Sequence, residues 1–433
     1  MGGGQLQSSN SNSSDNSTSQ VKLICGNPEI IHFKLIHKRP VNFAIEPIKL
    51  SPDNNISPQF GGTSTYTINK YGDLLSKIIL EIDLPQLNFP NASSFYWTYG
   101  IGNALIETVG IYINNELIEE HTGDMMNIFN ELTKSGDEQT AYDELVGNCD
   151  IVMKITEKQE KLYVPLNFWF CRNFGLSFPL ISLPSYSNIK LVIKFRKLDE
   201  LICSGGKSEY ENNKLFETKT NINIYNTNTS INCKIFADYV FIGDEDVRKL
   251  YRTQKQTYLI DYIDQLGTFN VDNTKTTNTY NITPTNIIKE IMWVHNTEEN
   301  IKINRLFDYS HTSPNYNNSN NDTFTSAKLM IMNIDRFEER DATYFRKICN
   351  FTSHRKIPRT PSYSLSTGQN SNLNARQYIY TYSFAMHPEE HQPSGIYPNN
   401  INLELSIKYN TTTNTTNKQL KVFSFGYKIL NIN

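Results

Sequence analysis

The chain has 433 residues, a formal net charge of −3 and 12% aromatic residues. That length admits two or three domains, and the near-neutral balance excludes the broad basic field that direct nucleic-acid binding needs. Asn, Thr, Ile and Tyr recur throughout, which favours strands and turns over helices.

Residues 1–20 are Gly, Ser, Asn and Gln with almost nothing apolar. Such a segment cannot offset its own ordering entropy, so a flexible arm is expected. It lacks the basic and apolar regions of a signal peptide, and the chain holds no apolar run near 18 residues that would span a membrane. Met1-Gly2-Gly3-Gly4-Gln5-Leu6 starts like a myristoylation site but carries Leu6 where Ser or Thr is wanted. Cys25, Cys149, Cys171, Cys203, Cys233 and Cys349 are scattered, with no C-x-x-C pair, and read as reduced thiols.

Structure is expected from Val21 onward. A Gly26-Asn27-Pro28 turn leads into strands whose His32 and His37 read as surface positions rather than ligands. Tyr71-Gly72-Asp73 turns into a strand over 76–84, with Ile78, Leu80, Ile82 and Leu84 on one face. Val109, Ile111 and Ile113 alternate into Asn114-Asn115, a hairpin turn because Asn tolerates positive φ. A helix is predicted over 124–132. The run Phe168-Trp169-Phe170-Cys171-Arg172-Asn173 precedes another strand with Ile189, Leu191, Ile193 and Phe195 on one face, and Cys171 reads as core packing. The polar stretches 203–230 and 308–323 read as surface loops. A strand over 233–242 ends at Asp244, placed to cap a short helix. In the cleanest strand pattern of the chain, Ile401, Leu403, Leu405, Ile407 and Tyr409 alternate with polar residues.

The second half repeats the order of the first. Ser76–Glu81 has a counterpart in Ile287–Trp293, the hairpin with Ile111 and Ile113 in Leu329 and Ile331, and Phe168-Trp169-Phe170 in Tyr382-Ser383-Phe384. After each hairpin the pattern predicts an acidic helix start, over 119–129 and over 335–340, where Asp335 to Glu339 reads as a capping box. This is a duplicated β-domain.

Nothing in the chain is a catalytic constellation: it has no G-x-S-x-G, no phosphate-binding lysine loop and no G-x-G-x-x-G. His387-Pro388-Glu389-Glu390-His391 fits the H-x-x-E-H zinc pattern in spelling. That chemistry needs both imidazoles on one face of a helix, and Pro393 and Gly395 break the segment, so no metal and no cofactor are expected. Sequons at Asn91, Asn228, Asn281, Asn317, Asn321, Asn350, Asn410 and Asn414 are candidate glycosylation sites.

Five stretches carry a family resemblance: the G-N-P turn with Arg39-Pro40-Val41-Asn42-Phe43-Ala44, Gly72-Asp73-Leu74 before Leu84-Pro85, the F-W-F-C-R-N run, Ala237-Asp238-Tyr239, and Ser383-Phe384-Ala385-Met386 followed by H-P-E-E-H-Q-P-S-G. Together they resemble the major capsid protein of nucleocytoplasmic large double-stranded DNA viruses. The resemblance implies an all-β double jelly roll of two tandem antiparallel β-sandwich domains with few short helices. The expected division is an arm at 1–20, a first jelly roll at 21–243, a helical linker at 244–255 and a second jelly roll at 256–433. It also implies a non-enzymatic virion protein, assembled in the host cytoplasm, that trimerises into pseudo-hexagonal capsomers of an icosahedral shell. Expected partners are the chain itself, neighbouring capsomers, minor capsid and penton proteins and an internal membrane, with no direct nucleic acid. A paralogous minor capsid or scaffold protein of the same fold, and a jelly-roll carbohydrate-binding protein, are the alternative readings. The segment 354–376 is longer and more polar than the family pattern, and 422–433 lacks its Gly-rich ending.

Overall fold

The computed structural model describes residues 41–432, apart from 54–56, 86–94, 149–160, 205–229, 254–255, 303, 312–321, 360–376, 392–393, 398–401 and 410–416. The calls on the arm, His32, His37, Cys25 and Cys149, most of the 203–230 loop and six of the eight sequons lie outside the described residues.

Alternation of apolar and polar residues sets the strands. In β3 (Leu74–Asp83) Ile78, Leu80 and Ile82 are buried, and in β18 (Leu403–Lys408) Leu403, Leu405 and Ile407 are, each pointing to one side of a pleat. The first half holds β1 (Phe43–Leu50), β2 (Thr63–Thr67), β3, β4 (Phe95–Trp97), β5 (Ile106–Ile113), β6 (Glu116–Thr122), β7 (Leu162–Pro165), β8 (Ile189–Phe195), β9 (Ile202–Ser204) and β10 (Asn232–Ile242). The second half holds β11 (Gln256–Asn270), β12 (Thr277–Ile282), β13 (Ile287–Thr297), β14 (Ser326–Ile331), β15 (Ile334–Asp335), β16 (Arg340–Asp341), β17 (Tyr380–Ser383), β18 and β19 (Lys418–Ile432).

Sheet order shows the duplication directly. The first half pairs β1-β10-β3-β7 and β2-β8-β5-β6, and the second pairs β11-β19-β13-β17 and β12-β18-β14-β15. Taken from each half's own first strand, the two orders are the same; β16 and the β4-β9 pair are additions. All pairings are antiparallel, and among the described residues no strand pair or isolated bridge joins one half to the other. Eight strands in two sheets, twice over, is a double jelly roll.

Register fixes which residues correspond. Both halves carry a one-residue bulge at the same place, Ser76 in β3 and Lys289 in β13, so the row Pro165–Ile79–Phe236 across β7, β3 and β10 matches Thr381–Met292–Phe423 across β17, β13 and β19. The isolated bridges fall at the same place in each half, Leu75 with Phe178 and Ile288 with Ile396. The counterpart of Tyr382-Ser383-Phe384 is therefore Leu166-Asn167-Phe168, not Phe168-Trp169-Phe170. The latter run enters a helical turn, Trp169–Arg172, and packs edge-on and stacked with Phe178 in the first core.

The two hairpins do correspond: Asn114 and Asn115 take φ 51° and 69°, and Met332 and Asn333 take 52° and 62°. A branched side chain is strained there, so Asn115→Val is expected to cost about 1–2 kcal/mol. Met332→Asn should stabilise by a few tenths to about 1 kcal/mol. Urea denaturation of both variants checks the pair, and equal midpoints would count against it.

Three helix expectations change. Helix α1 spans Gly123–Thr133, capped by Thr122, so Glu119 lies in β6 rather than in a helix start. A second helix, α2 (Gly136–Val146), follows at once, opened by a capping box of Ser135 and Glu138 and closed by Gly147 at φ 79°. Asp335 caps nothing: it pairs with Met330 across the hairpin and holds Lys328 at 2.9 Å. The helix begins only at 342, where the Asp341 carboxylate accepts from Tyr344 N (2.9 Å). This helix, α4, is a π-turn over Tyr344–Cys349 continued as α over Asn350–Ser353. Between the halves lies α3 (Glu245–Thr253), where Asp244 accepts from Asp246 N and Val247 N as expected. The 308–323 stretch is no free surface loop at its ends, since Asp308, Tyr309, Ser310 and Thr323 are buried.

Candidate functional site

Buried charged groups gather at the seam where the first half meets the second. Helix α1 sits on the outer face of the β11-β19-β13-β17 sheet, and every residue from Gly123 to Leu132 is buried. Phe129 meets Phe425 edge-on at 5.4 Å between ring centres. Beside it the Arg172 guanidinium lies 5.2 Å from the Phe129 ring and 5.3 Å from the Phe425 ring, and donates to Asp261 O at 2.7 Å.

Charged groups pin the seam at three places. At the first, the fully buried Glu119 accepts from Trp169 N (3.3 Å) in its own half and from Ile263 N (3.4 Å) in the other, with His121 Nε2 at 3.0 Å. Nearby the buried Lys289 ammonium lies 2.9 Å from Asp261 Oδ1 and 3.9 Å above the Phe425 ring, and burial pulls its pKa below the ordinary lysine value. At the second, Asp124 holds Lys421 (2.8 Å) and Arg196 (3.6 Å). Burial works against its charge, yet Lys421 and Arg196 outweigh that and hold the carboxyl below the usual carboxylate range. At the third, Arg359 forks onto Glu131 and Asp143, with Tyr99 Oη at 3.2 Å, and Lys356 stands 3.6 Å from Glu131. Neutral bonds add to these: Asn127 to Gln377 (3.1 Å), Thr98 to Asn304 O (2.6 Å), and Asn304 to the carbonyls of Asp199 and Ile202.

The second core contains its own polar chain. Tyr280 and Tyr409 hydroxyls meet at 3.2 Å, Tyr409 meets His295 Nε2 at 2.9 Å, and His295 Nδ1 meets Thr323 Oγ1 at 2.8 Å. The chain continues through Tyr380 to Asp322, which is paired with Arg346 at 2.7 Å. Burial, helped by the Lys418 charge, pushes His295 down to about 3.

The H-P-E-E-H segment is a turn, closed by Glu390 N donating to His387 O. Its side chains diverge: Glu389 binds His354 Nδ1 (3.1 Å), His391 turns to Asp261 (3.4 Å), and His387 is exposed. His354 is clamped on its other side by Glu290 at 2.8 Å. Among the described residues no group of three His, Cys, Asp or Glu side chains is arranged to hold a metal ion. Burial pushes the Cys171, Cys233 and Cys349 thiols up to about 12, the opposite of what a nucleophile requires. Of the sequons, Asn281 is exposed on β12, but Asn350 is closed to a glycan: it is buried, and its amide donates to Arg346 O and Ile379 O.

Comparison with known proteins follows the two halves. The family model described as "Major capsid protein N-terminus" matches residues 31–243, and "Large eukaryotic DNA virus major capsid protein" matches 248–433. Among curated relatives, a probable capsid protein of Acanthamoeba polyphaga mimivirus is 27% identical, covering 94% of each chain. The major capsid protein of Pyramimonas orientalis virus is 26% identical over 94% of this chain and 93% of its own. Among solved structures, a quasi-atomic model of the PBCV-1 virus capsid gives a TM-score of 0.71 at 21% identity, covering 93% of this chain and 97% of that one. The Faustovirus major capsid protein gives 0.69 at 11% identity, covering 96% and 97%.

Proposed function

The chain belongs to the large eukaryotic DNA virus major capsid protein family, and we propose that it works as a homotrimer, the pseudo-hexagonal capsomer of an icosahedral shell. As a member of that family it is a structural protein of the virion capsid and not an enzyme. One observation carries the finer reading: the same strand order occurs twice in one chain, and a buried charged seam fixes the two units to each other. Three such pairs around an axis present six similar wedges, and closed cyclic symmetry is the usual outcome of self-assembly. Each contact in the trimer is expected to bury more than roughly 2,000 Å², rich in apolar and aromatic groups.

The division into 21–243, 244–255 and 256–433 belongs to this proposal, as does an arm at 1–20 facing the shell interior. There it would meet minor capsid proteins or an internal membrane, while penton proteins close the vertices. Assembly in the host cytoplasm is part of the same reading. Mass photometry of the purified protein is expected to show a species of three times the 49.9 kDa chain mass, with a hexagonal outline in negative stain. A folded chain that stays monomeric at micromolar concentration would sink it.

A further inference from the structure

We propose that helix α4 of one chain docks on the outer face of the β1-β10-β3-β7 sheet of a second copy, repeating between chains the seam that α1 makes within one. The proposal rests on the trimer reading and names its contact surfaces.

The two helices are counterparts. Each follows the hairpin of its half, and each is capped from the residue three positions ahead, Thr122 accepting from Met125 N and Asp341 from Tyr344 N. Each carries a buried Asn that donates one turn back, Asn130 to Met126 O and Asn350 to Arg346 O, both at 2.7 Å. Their surroundings differ. The outward side of α1 is covered by the second half, whereas on α4 Ile348 is 52% exposed and Phe351 74% exposed, beside an exposed Lys347.

The internal seam identifies what fits there. The surface under α1 is centred on Phe425 and Phe423, whose counterparts by register are Asp238 and Phe236, the latter in the row with Ile79 and Pro165. Phe236, Ile79 and Pro165 are only half-buried, and Tyr163 (36% exposed) and Phe174 (58% exposed) extend the same apolar face. Among the described residues one chain thus carries a helix without a sheet and a sheet without a helix. A head-to-tail contact between copies pairs them, and such a contact closes into a ring when the rotation allows.

The ionic anchors are not repeated. Thr343 stands where Asp124 does, two residues past the cap. Lys234 stands where Lys421 does, four residues before Asp238 as Lys421 is before Phe425, but it is already paired with Glu81 at 3.6 Å and finds no acid on the helix. The contact between chains is therefore held by apolar groups, and added salt should not weaken it.

The test uses the full chain. Phe351→Asp, at an exposed position, should leave the circular dichroism spectrum and melting curve unchanged while weakening association at least roughly thirtyfold. Independently, the double variant Phe351→Cys with Phe236→Cys should form an inter-chain disulfide on mild oxidation and run as a covalent three-chain species, which neither single variant does. Association should be as strong at 1 M NaCl as at 0.1 M. If the wild type trimerises but Phe351→Asp associates as tightly and the double variant gives no covalent trimer, the assigned surfaces are wrong while the trimer stands. If the wild type never associates, the trimer reading itself fails, and this one with it.

Discussion

Replacing Glu119 with Ala is expected to lower the unfolding free energy by about 3–5 kcal/mol, the cost typical of breaking a buried charged cluster from one side. Its side chain is fully buried and serves both halves at once, accepting from Trp169 N and Ile263 N with His121 and Arg172 close by. Ala leaves two buried backbone donors without their acceptor and removes the carboxylate beside His121 and Arg172. Glu119→Gln keeps an acceptor of the same shape and should lose less than half as much. Guanidinium denaturation followed by tryptophan fluorescence is the measurement. Trp97 and Trp169 report the first half and Trp293 the second, all three buried, so the Trp293→Phe background shows whether the halves still unfold together. A midpoint within error of the wild type would mean that the seam is not what binds the halves.

Stability is expected to peak near pH 6.5, because two buried histidines are shifted in opposite directions. His295 is pushed down to about 3, chiefly by burial, with the Lys418 charge adding to it and only the Tyr409 and Thr323 hydroxyls on its ring nitrogens. Below pH 6.5 the unfolded chain takes up a proton that the folded chain refuses, so stability falls with pH, by up to about 5 kcal/mol by pH 3. His354 behaves in the opposite way. Burial disfavours its charge, but Glu290 and Glu389 on its two nitrogens prevail and raise it to about 9. Its contribution is whole below pH 6.5 and is lost as pH rises towards 9. Lys418, pushed down to about 8 by burial, acts the other way above that pH. The His354 limb is therefore read between pH 6.5 and 8, where it amounts to about 2 kcal/mol. Urea midpoints across pH 4–8 should trace both limbs. His295→Gln should flatten the acid side and His354→Gln the alkaline side, and a wild-type curve that keeps climbing from pH 6.5 to 8 would falsify the His354 assignment.

The features legible in the sequence are those set by near neighbours. The Asn114-Asn115 turn was readable because two adjacent residues must both adopt positive φ, and β18 because its pleat buries alternate residues. Helix α2 was missed although its signals were present, Ser135 and Glu138 at capping-box spacing and Gly147 at its end. The same spacing misled at Asp335, where the hairpin register claims the residue first. Aromatic richness misled too: Phe168-Trp169-Phe170 and Tyr382-Ser383-Phe384 look alike because both fill cores, while register assigns them different places. The seam was illegible because its partners lie far apart in sequence, Asp124 with Lys421 and Glu131 with Arg359. The one local sign was charge inside an apolar strand, as with Lys289 and Glu290 between Ile288 and Ile291.

Among the described strands, the first synthesised in each half pairs with the last: Phe43 opposite Ile242, and Gln256 opposite Ile432. On the ribosome β1 therefore waits for β10, roughly 10 to 40 s at ordinary elongation rates, its Phe43 and Ile45 and its unpaired amide edge open to other nascent chains. High contact order of this kind makes for slow folding and exposure to aggregation. Chaperones that shield the early edge, and slower elongation at lower temperature, are therefore expected to raise the yield of folded chain.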